Sequence, residues 1–193
     1  MAVYDSTQTI SNALDIYFTK ENLGKDGGLD KRWAKIKVGK IYLPLPNTKA
    51  RKKALVFHDI HHIVTGYDGD WKGEASIGAW EVASGCAKYY VAWVLNLWAM
   101  AVGLFIYPKH VLRAFVRGMR TQNLYHHSVP KEEALKMKVS ELQKNLLLDK
   151  DMNTKITTGE LFSFLLWSAV AVISAVIPPV LLYIILRYCV SLL

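Results

Sequence analysis

The chain has 193 residues and a mass of 21.8 kDa, enough for one domain with one sizeable core. Hydrophobic residues make up 52% and charged residues 21%, which excludes disordered, collagenous and low-complexity classes and leaves an unusually apolar folded protein. The net charge is +8, and residues 20–53 account for all of it: they hold eleven basic and three acidic residues, while the remainder sums to zero.

That basic segment suits anionic partners, and lipid headgroups rank above nucleic acid because no stacking platform or nucleic-acid motif accompanies it. Cys86 and Cys189 lie 103 positions apart, so neither a disulfide framework nor a cysteine-based zinc site is available. Any metal here must be held by histidines and carboxylates. The first 19 residues contain Asp5 and Asp15 but no Lys or Arg, so the reading is of a chain without signal or transit peptide that begins at Met1 in a reducing compartment.

In chain order, Lys35 to Leu45 alternates and reads as extended, closed by Pro44 and Pro46. Asn47 or Thr48 then caps a helix that runs to a stop at Gly66. The next helix is expected to start near Glu74 and to continue through Tyr89 to Tyr107, nineteen residues whose only strongly polar member is Asn96. At about 1.5 Å per residue that run is close to the roughly 30 Å of a bilayer's hydrocarbon, so it either spans a membrane or forms the buried centre of a bundle. Leu135, Val139, Leu142 and Leu146 recur at helical spacing behind a first turn of Pro130, Glu132 and Glu133, which predicts one amphipathic helix. Thr157 and Glu160 stand at capping-box spacing before the apolar runs Leu161 to Ile177 and Val180 to Leu193, divided by Pro178 and Pro179. Two forms are open for this tail: a re-entrant hairpin, or one span kinked at the prolines. Lys144, Lys150 and Lys155 precede it and only Arg187 lies within it, which places the body on the cytoplasmic side.

Three of the six histidines fall in the run His58-Asp59-Ile60-His61-His62. On a helix His58 and His62 share a face, about 6 Å apart along the axis, so both imidazoles can grip one ion. Asp59 is turned about 100° from His58 and reads either as a ligand or as the acceptor that orients an imidazole. His61 is the weaker candidate, on a flanking face. Gly66 to Asp70 reads as a turn that folds the chain back, so that Glu74 faces His62. Such donors suit Zn, Mn or Fe rather than Ca or Mg. His126 and His127 read as surface or cap residues, and Tyr89, Tyr90, Trp93 and Trp98 as packing or membrane-interface aromatics.

His58-Asp59-x-x-His62, with Glu74 after the eleven residues 63–73, resembles the signature of the coenzyme Q biosynthesis family called coenzyme Q protein four. Similar to that family as well are Leu43 to Leu45 with Pro46, Thr65-Gly66-Tyr67, Gly73-Glu74, Arg117-Gly118 and Ser140 to Leu148, so the resemblance covers about residues 5–155. It implies an all-α fold in which His58, Asp59, His62 and Glu74 bind one divalent ion, zinc by family habit with iron or manganese as alternatives, and act as the catalytic set. It also implies work at a membrane on a polyprenylated quinone precursor, oxidative removal of the ring carboxylate at C1 with entry of a hydroxyl, and partnership with the other quinone biosynthesis enzymes.

The combined expectation is an all-α helical bundle over residues 1–155 that binds metal and lipid, followed by a membrane-anchoring segment or hairpin over 156–193. Its place is the cytoplasmic face of the inner membrane. Its partners are the quinone precursor, membrane lipid, the companion enzymes and a second copy of itself, with no nucleic acid. Two other classes fit parts of the pattern: a noncatalytic prenyl-lipid scaffold, and a membrane di-iron desaturase or hydroxylase using the His-x-x-His-His box. The desaturase reading lacks histidines, since neither His110 nor His126 completes a second box.

Overall fold

The structure, a computed structural model, describes residues 4–38, 41–126, 129–148 and 155–191. Lys150, His127 and the last two residues of the apolar tail lie outside the described residues. Helices dominate: α1 (Ile10–Lys20), α2 (Lys49–Thr65), α3 (Trp71–Ser84), α4 (Tyr90–Ile106), α5 (Pro108–Arg120), α6 (Lys131–Lys136), α7 (Val139–Asn145) and α8 (Thr158–Ser191). One antiparallel hairpin, β1 (Trp33–Val38) and β2 (Ile41–Pro46), occupies the stretch read as extended. The fold is therefore all-α with a small β appendage.

The centre of the bundle is α3, not α4. Gly73, Ala75, Ser76, Gly78 and Ala79 give it small side chains, and every residue from Ala75 to Val82 is buried. Neighbours approach closely because of this: a Cβ on Gly78 would stand 2.9 Å from the Asn96 carbonyl of α4. Trp80 is fully enclosed and its indole N–H donates to the Thr121 hydroxyl at 2.9 Å. Ile60, Ile63, Ile77, Met100 and Phe115 complete the core around it.

Two expected helices are each divided. The helix foreseen from Glu74 to Tyr107 is α3 followed by α4, with a break at Gly85, whose φ of 85° is a conformation that L side chains avoid. The helix foreseen across Leu135 to Leu146 is α6 and α7. There the N-terminal segment competes for the backbone: Ile10 N–H donates to the Met137 carbonyl and Val139 N–H to the Gln8 carbonyl, across a Thr9–Lys138 bridge. Tertiary pairing replaces the helical bonds that local spacing predicts.

The tail is one continuous helix through Pro178 and Pro179, not a hairpin. Its 34 residues extend about 51 Å at the helical rise, and it is long and apolar enough to cross a membrane. It starts with the expected capping box, Thr157 and Glu160 exchanging bonds of 2.8 and 3.2 Å, and Glu160 is gripped by Arg120 of α5. Phe164 and Ala171 are its buried residues, Trp167 stacks on Trp93 of α4 at 5.3 Å, and from Val176 onward it is exposed all round.

Candidate metal centre

Thr48 starts α2 by accepting the Arg51 N–H, and Gly66 ends it in a left-handed cap whose N–H returns to the His62 carbonyl. His58 and His62 thus sit in the last two turns, one above the other. Asp70 restarts the chain as the cap of α3, its carboxylate accepting the Gly73 N–H at 2.7 Å, and Glu74 falls in the first turn. The turn between is pinned from outside. Lys20 of α1 bonds Asp68 at 2.7 Å, and Arg117 of α5 donates to the Thr65 carbonyl at 2.9 Å while covering the Tyr67 ring. Gly73 is needed for closeness: any Cβ there would collide with the Asp68 carbonyl.

These restraints bring three side chains to one point. His58 Nε2 and His62 Nε2 face each other at 3.2 Å, and the two oxygens of Glu74 stand 3.4 Å from His62 and 3.6 Å from His58. One ligand atom from each residue can be chosen so that all lie within 4.8 Å of one another. His62 is fully buried, whereas the Glu74 side chain is 36% exposed, so the group opens to one side.

The tautomers follow from what lies behind the rings. His62 Nδ1 is 2.9 Å from the Tyr67 carbonyl, which can only accept, so the proton is on Nδ1 and the Nε2 lone pair points inward. His58 Nδ1 is 3.1 Å from Glu81 Oε1 and likewise keeps a proton on that side, so its Nε2 either carries the second proton or, once that proton leaves, turns a lone pair inward. Two inward lone pairs at 3.2 Å repel unless a cation or a proton lies between them. A tetrahedral ion with ligands at about 2.1 Å has edges of about 3.4 Å. The 3.2 Å between the two imidazole nitrogens is close to such an edge, whereas Glu74 meets each ring through a different oxygen, Oε1 toward His62 and Oε2 toward His58, so the three residues could hold an ion after a small adjustment of the Glu74 carboxylate. Tyr17 stacks on His62 at 5.2 Å and screens it on the α1 side.

Asp59 stands apart from this group. It is buried, but the acceptors that orient His58 and His62 are Glu81 and the Tyr67 carbonyl, so the orienting role open to Asp59 is already filled. Burial pushes its carboxyl up to about 7, against the pull of His58 and His62. His61 is not a ligand in this arrangement. Its Nδ1 bonds Glu81 at 2.6 Å, its Nε2 accepts the Leu124 N–H at 3.0 Å, and both nitrogens are spent. His126 is exposed, in agreement with a surface role.

Glu81 is the residue that sequence spacing did not single out. It lies two turns after Glu74 on α3 and is completely buried. Its Oε1 accepts from His58 and His61, and its Oε2 from Asn96 and from Tyr125, the last at 3.1 Å. Four donors satisfy all the lone-pair directions of an ionised carboxylate, which is the condition for keeping a charge inside a core. Burial works against that charge, but His58 and the hydrogen bonds outweigh it and hold the Glu81 carboxyl far below the ordinary range. At Glu74 burial is likewise overcome, by His62 and His58, leaving its carboxyl at about 2. His58 is the reciprocal case: burial lowers its pKa, and Glu81 with Glu74 reverses this and raises it well above 6.5. An acidic residue seven positions after Glu74 was the available signal, and a helix buried on every face was the missing fact.

No protein-family model, curated protein or solved structure matches this chain.

Proposed function

We propose that this chain is a membrane-attached, metal-dependent protein of quinone biosynthesis, acting on the ring of a polyprenylated hydroxybenzoate-derived precursor to remove the C1 carboxylate and install a hydroxyl. The observation that carries the reading is the convergence of His58 Nε2, His62 Nε2 and Glu74 at 3.2 to 3.6 Å, in the residue pattern of the family it resembles. Zinc best fits the donor set, and iron or manganese would also be held.

A divalent ion supplies Lewis acidity, stabilising negative charge on the ring carboxylate or phenolic oxygen. His58, His62 and Glu74 hold it and leave one side open to substrate. Glu81 keeps the His58 proton on Nδ1, and the Tyr67 carbonyl does the same for His62. Tyr17 keeps water from the buried ring of His62. Replacing the carboxylate breaks the ring C–C bond, releases carbon dioxide, forms a C–O bond and removes two electrons, for which dioxygen is the acceptor. Zinc carries no redox chemistry, so with zinc bound the oxidation step belongs to a partner enzyme. The apolar tail and the Lys residues before it support a location on the cytoplasmic face of the inner membrane.

The desaturase reading loses support because both nitrogens of His61 are occupied, Nδ1 by Glu81 and Nε2 by the Leu124 N–H. The test is restoration of quinone synthesis in a host lacking the C1 step, with metal content measured on the same purified chains. Intact protein should restore synthesis and carry one ion, and Glu74→Gln should lose both. Restoration by a metal-free Glu74→Gln chain would instead establish a lipid-presenting scaffold.

A further inference from the structure

The outward face of α4 has no charged residue. Tyr90, Val94, Trp98, Val102, Phe105 and Ile106 are its exposed side chains, from 38% exposed at Val102 to 78% at Phe105. They form one stripe, since steps of three or four residues return to the same side of a helix. Beside it runs α8 in the same direction: Trp93 meets Trp167, and five residues later the Trp98 indole donates to the Ser174 carbonyl at 3.1 Å. The exposed side chains of α8 alongside α4, among them Phe162, Leu165, Leu166 and Ile173, are apolar too. The two helices present one continuous hydrocarbon surface.

Its edges are cationic. Exposed Lys88 precedes α4, exposed Lys109 and His110 follow it, Arg113 lies one turn further along α5, and Lys155 precedes α8. A groove of about 300 Å3 between β2 and α4, walled by Val91, Val94 and Trp98, opens on the same face. An apolar plane rimmed by cations is complementary to an anionic bilayer, whose headgroups meet the rim and whose acyl chains meet the plane. A second copy of the chain would bring its own cations against that rim.

We propose that the α4–α8 face is embedded in the membrane, so that the helical body lies in the headgroup and acyl boundary and α8 is a continuation of that surface and not a flexible tether. The occupant is the phospholipid bilayer. Six apolar side chains of α4 leave water on docking, and the opening of the groove then faces lipid, giving a hydrophobic molecule a lateral way in that avoids the aqueous phase. This inference rests on the apolar surface and its charged rim and is independent of the metal reading.

The test uses the full chain in phosphatidylcholine vesicles with and without phosphatidylglycerol. In a Cys189→Ser background, an environment-sensitive fluorophore is placed singly at Val94→Cys, Phe105→Cys, Ile173→Cys in α8 and Lys136→Cys in α6. All four are surface positions, and Cys86 is buried and stays unlabelled. The expected result is that positions 94, 105 and 173 shift to the blue and are quenched by lipid-borne nitroxide, while position 136 is quenched only by aqueous iodide. Phosphatidylglycerol should strengthen binding several-fold, and salt should reverse that gain. Quenching of positions 94 and 105 by iodide, with 173 in lipid, would overturn the proposal and make α8 a simple anchor. Shielding from both quenchers, with disulfide cross-links between Val94→Cys copies, would overturn it in favour of a dimer interface.

Discussion

Replacing Glu81 by Gln keeps the shape of the side chain and removes its charge. The glutamine oxygen can accept from one pair of donors, but its amide group then faces the donors on the other side. If the oxygen faces His58 and His61, the amide meets Asn96 and Tyr125; Asn96 can turn over to accept, and Tyr125 keeps only the longer bond to the Ala54 carbonyl at 3.4 Å. If the amide faces His58, the imidazole must accept on Nδ1 and carry its proton on Nε2, where it blocks the inward lone pair. In either case His58 loses the carboxylate that makes it a better donor to an ion. Losing the carboxylate behind a metal-binding histidine costs about 10- to 100-fold in affinity, or about 1.4 to 2.7 kcal/mol. Glu81→Ala is more severe, because buried donors left without partners cost about 1 to 3 kcal/mol each. The expected order of zinc affinity, measured by competition with a chromophoric chelator on detergent-solubilised protein, is wild type, then Glu81→Gln, then His62→Ala. Circular dichroism melts should show Glu81→Gln folded and Glu81→Ala strongly destabilised. A Glu81→Gln chain that binds zinc as tightly as wild type would refute the role given to this carboxylate.

Gly73→Ala should push the Asp68 carbonyl aside and displace the first turn of α3, weakening zinc binding several-fold in the same competition assay while leaving Glu74 itself unchanged. Glu160→Gln should lower the melting temperature, because Arg120 of α5 and the Thr157 N–H lose the carboxylate that ties the start of α8 to the body. Burial and the neighbouring Glu81 charge raise the Cys86 thiol, so a Cys189→Ser chain should show no maleimide-reactive thiol until denaturant opens the core. Rapid modification of the native chain would mean that the hub around Glu81 is open to water.

Local signals were legible wherever the chain makes its contacts with itself at short range. Thr48, Gly66 and the Thr157–Glu160 box bound their helices because a cap is satisfied within one turn. The pairing of His58 with His62 needed only the 3.6-residue period, and a long apolar tail followed from composition alone. Tertiary structure decided the rest, and always by adding a partner from far along the sequence. Residues 8–10 divide α6 from α7 by taking their backbone bonds. The small residues of α3 make it the buried axis, though α4 is the more hydrophobic in sequence, because closeness of approach and not hydropathy selects the helix that two others can cover. Asp59 stood out by its place between two histidines, yet Glu81, 23 residues after His58, holds the imidazole. Which carboxylate reaches a ring depends on the relative position of two helices, and that position is set by the whole core.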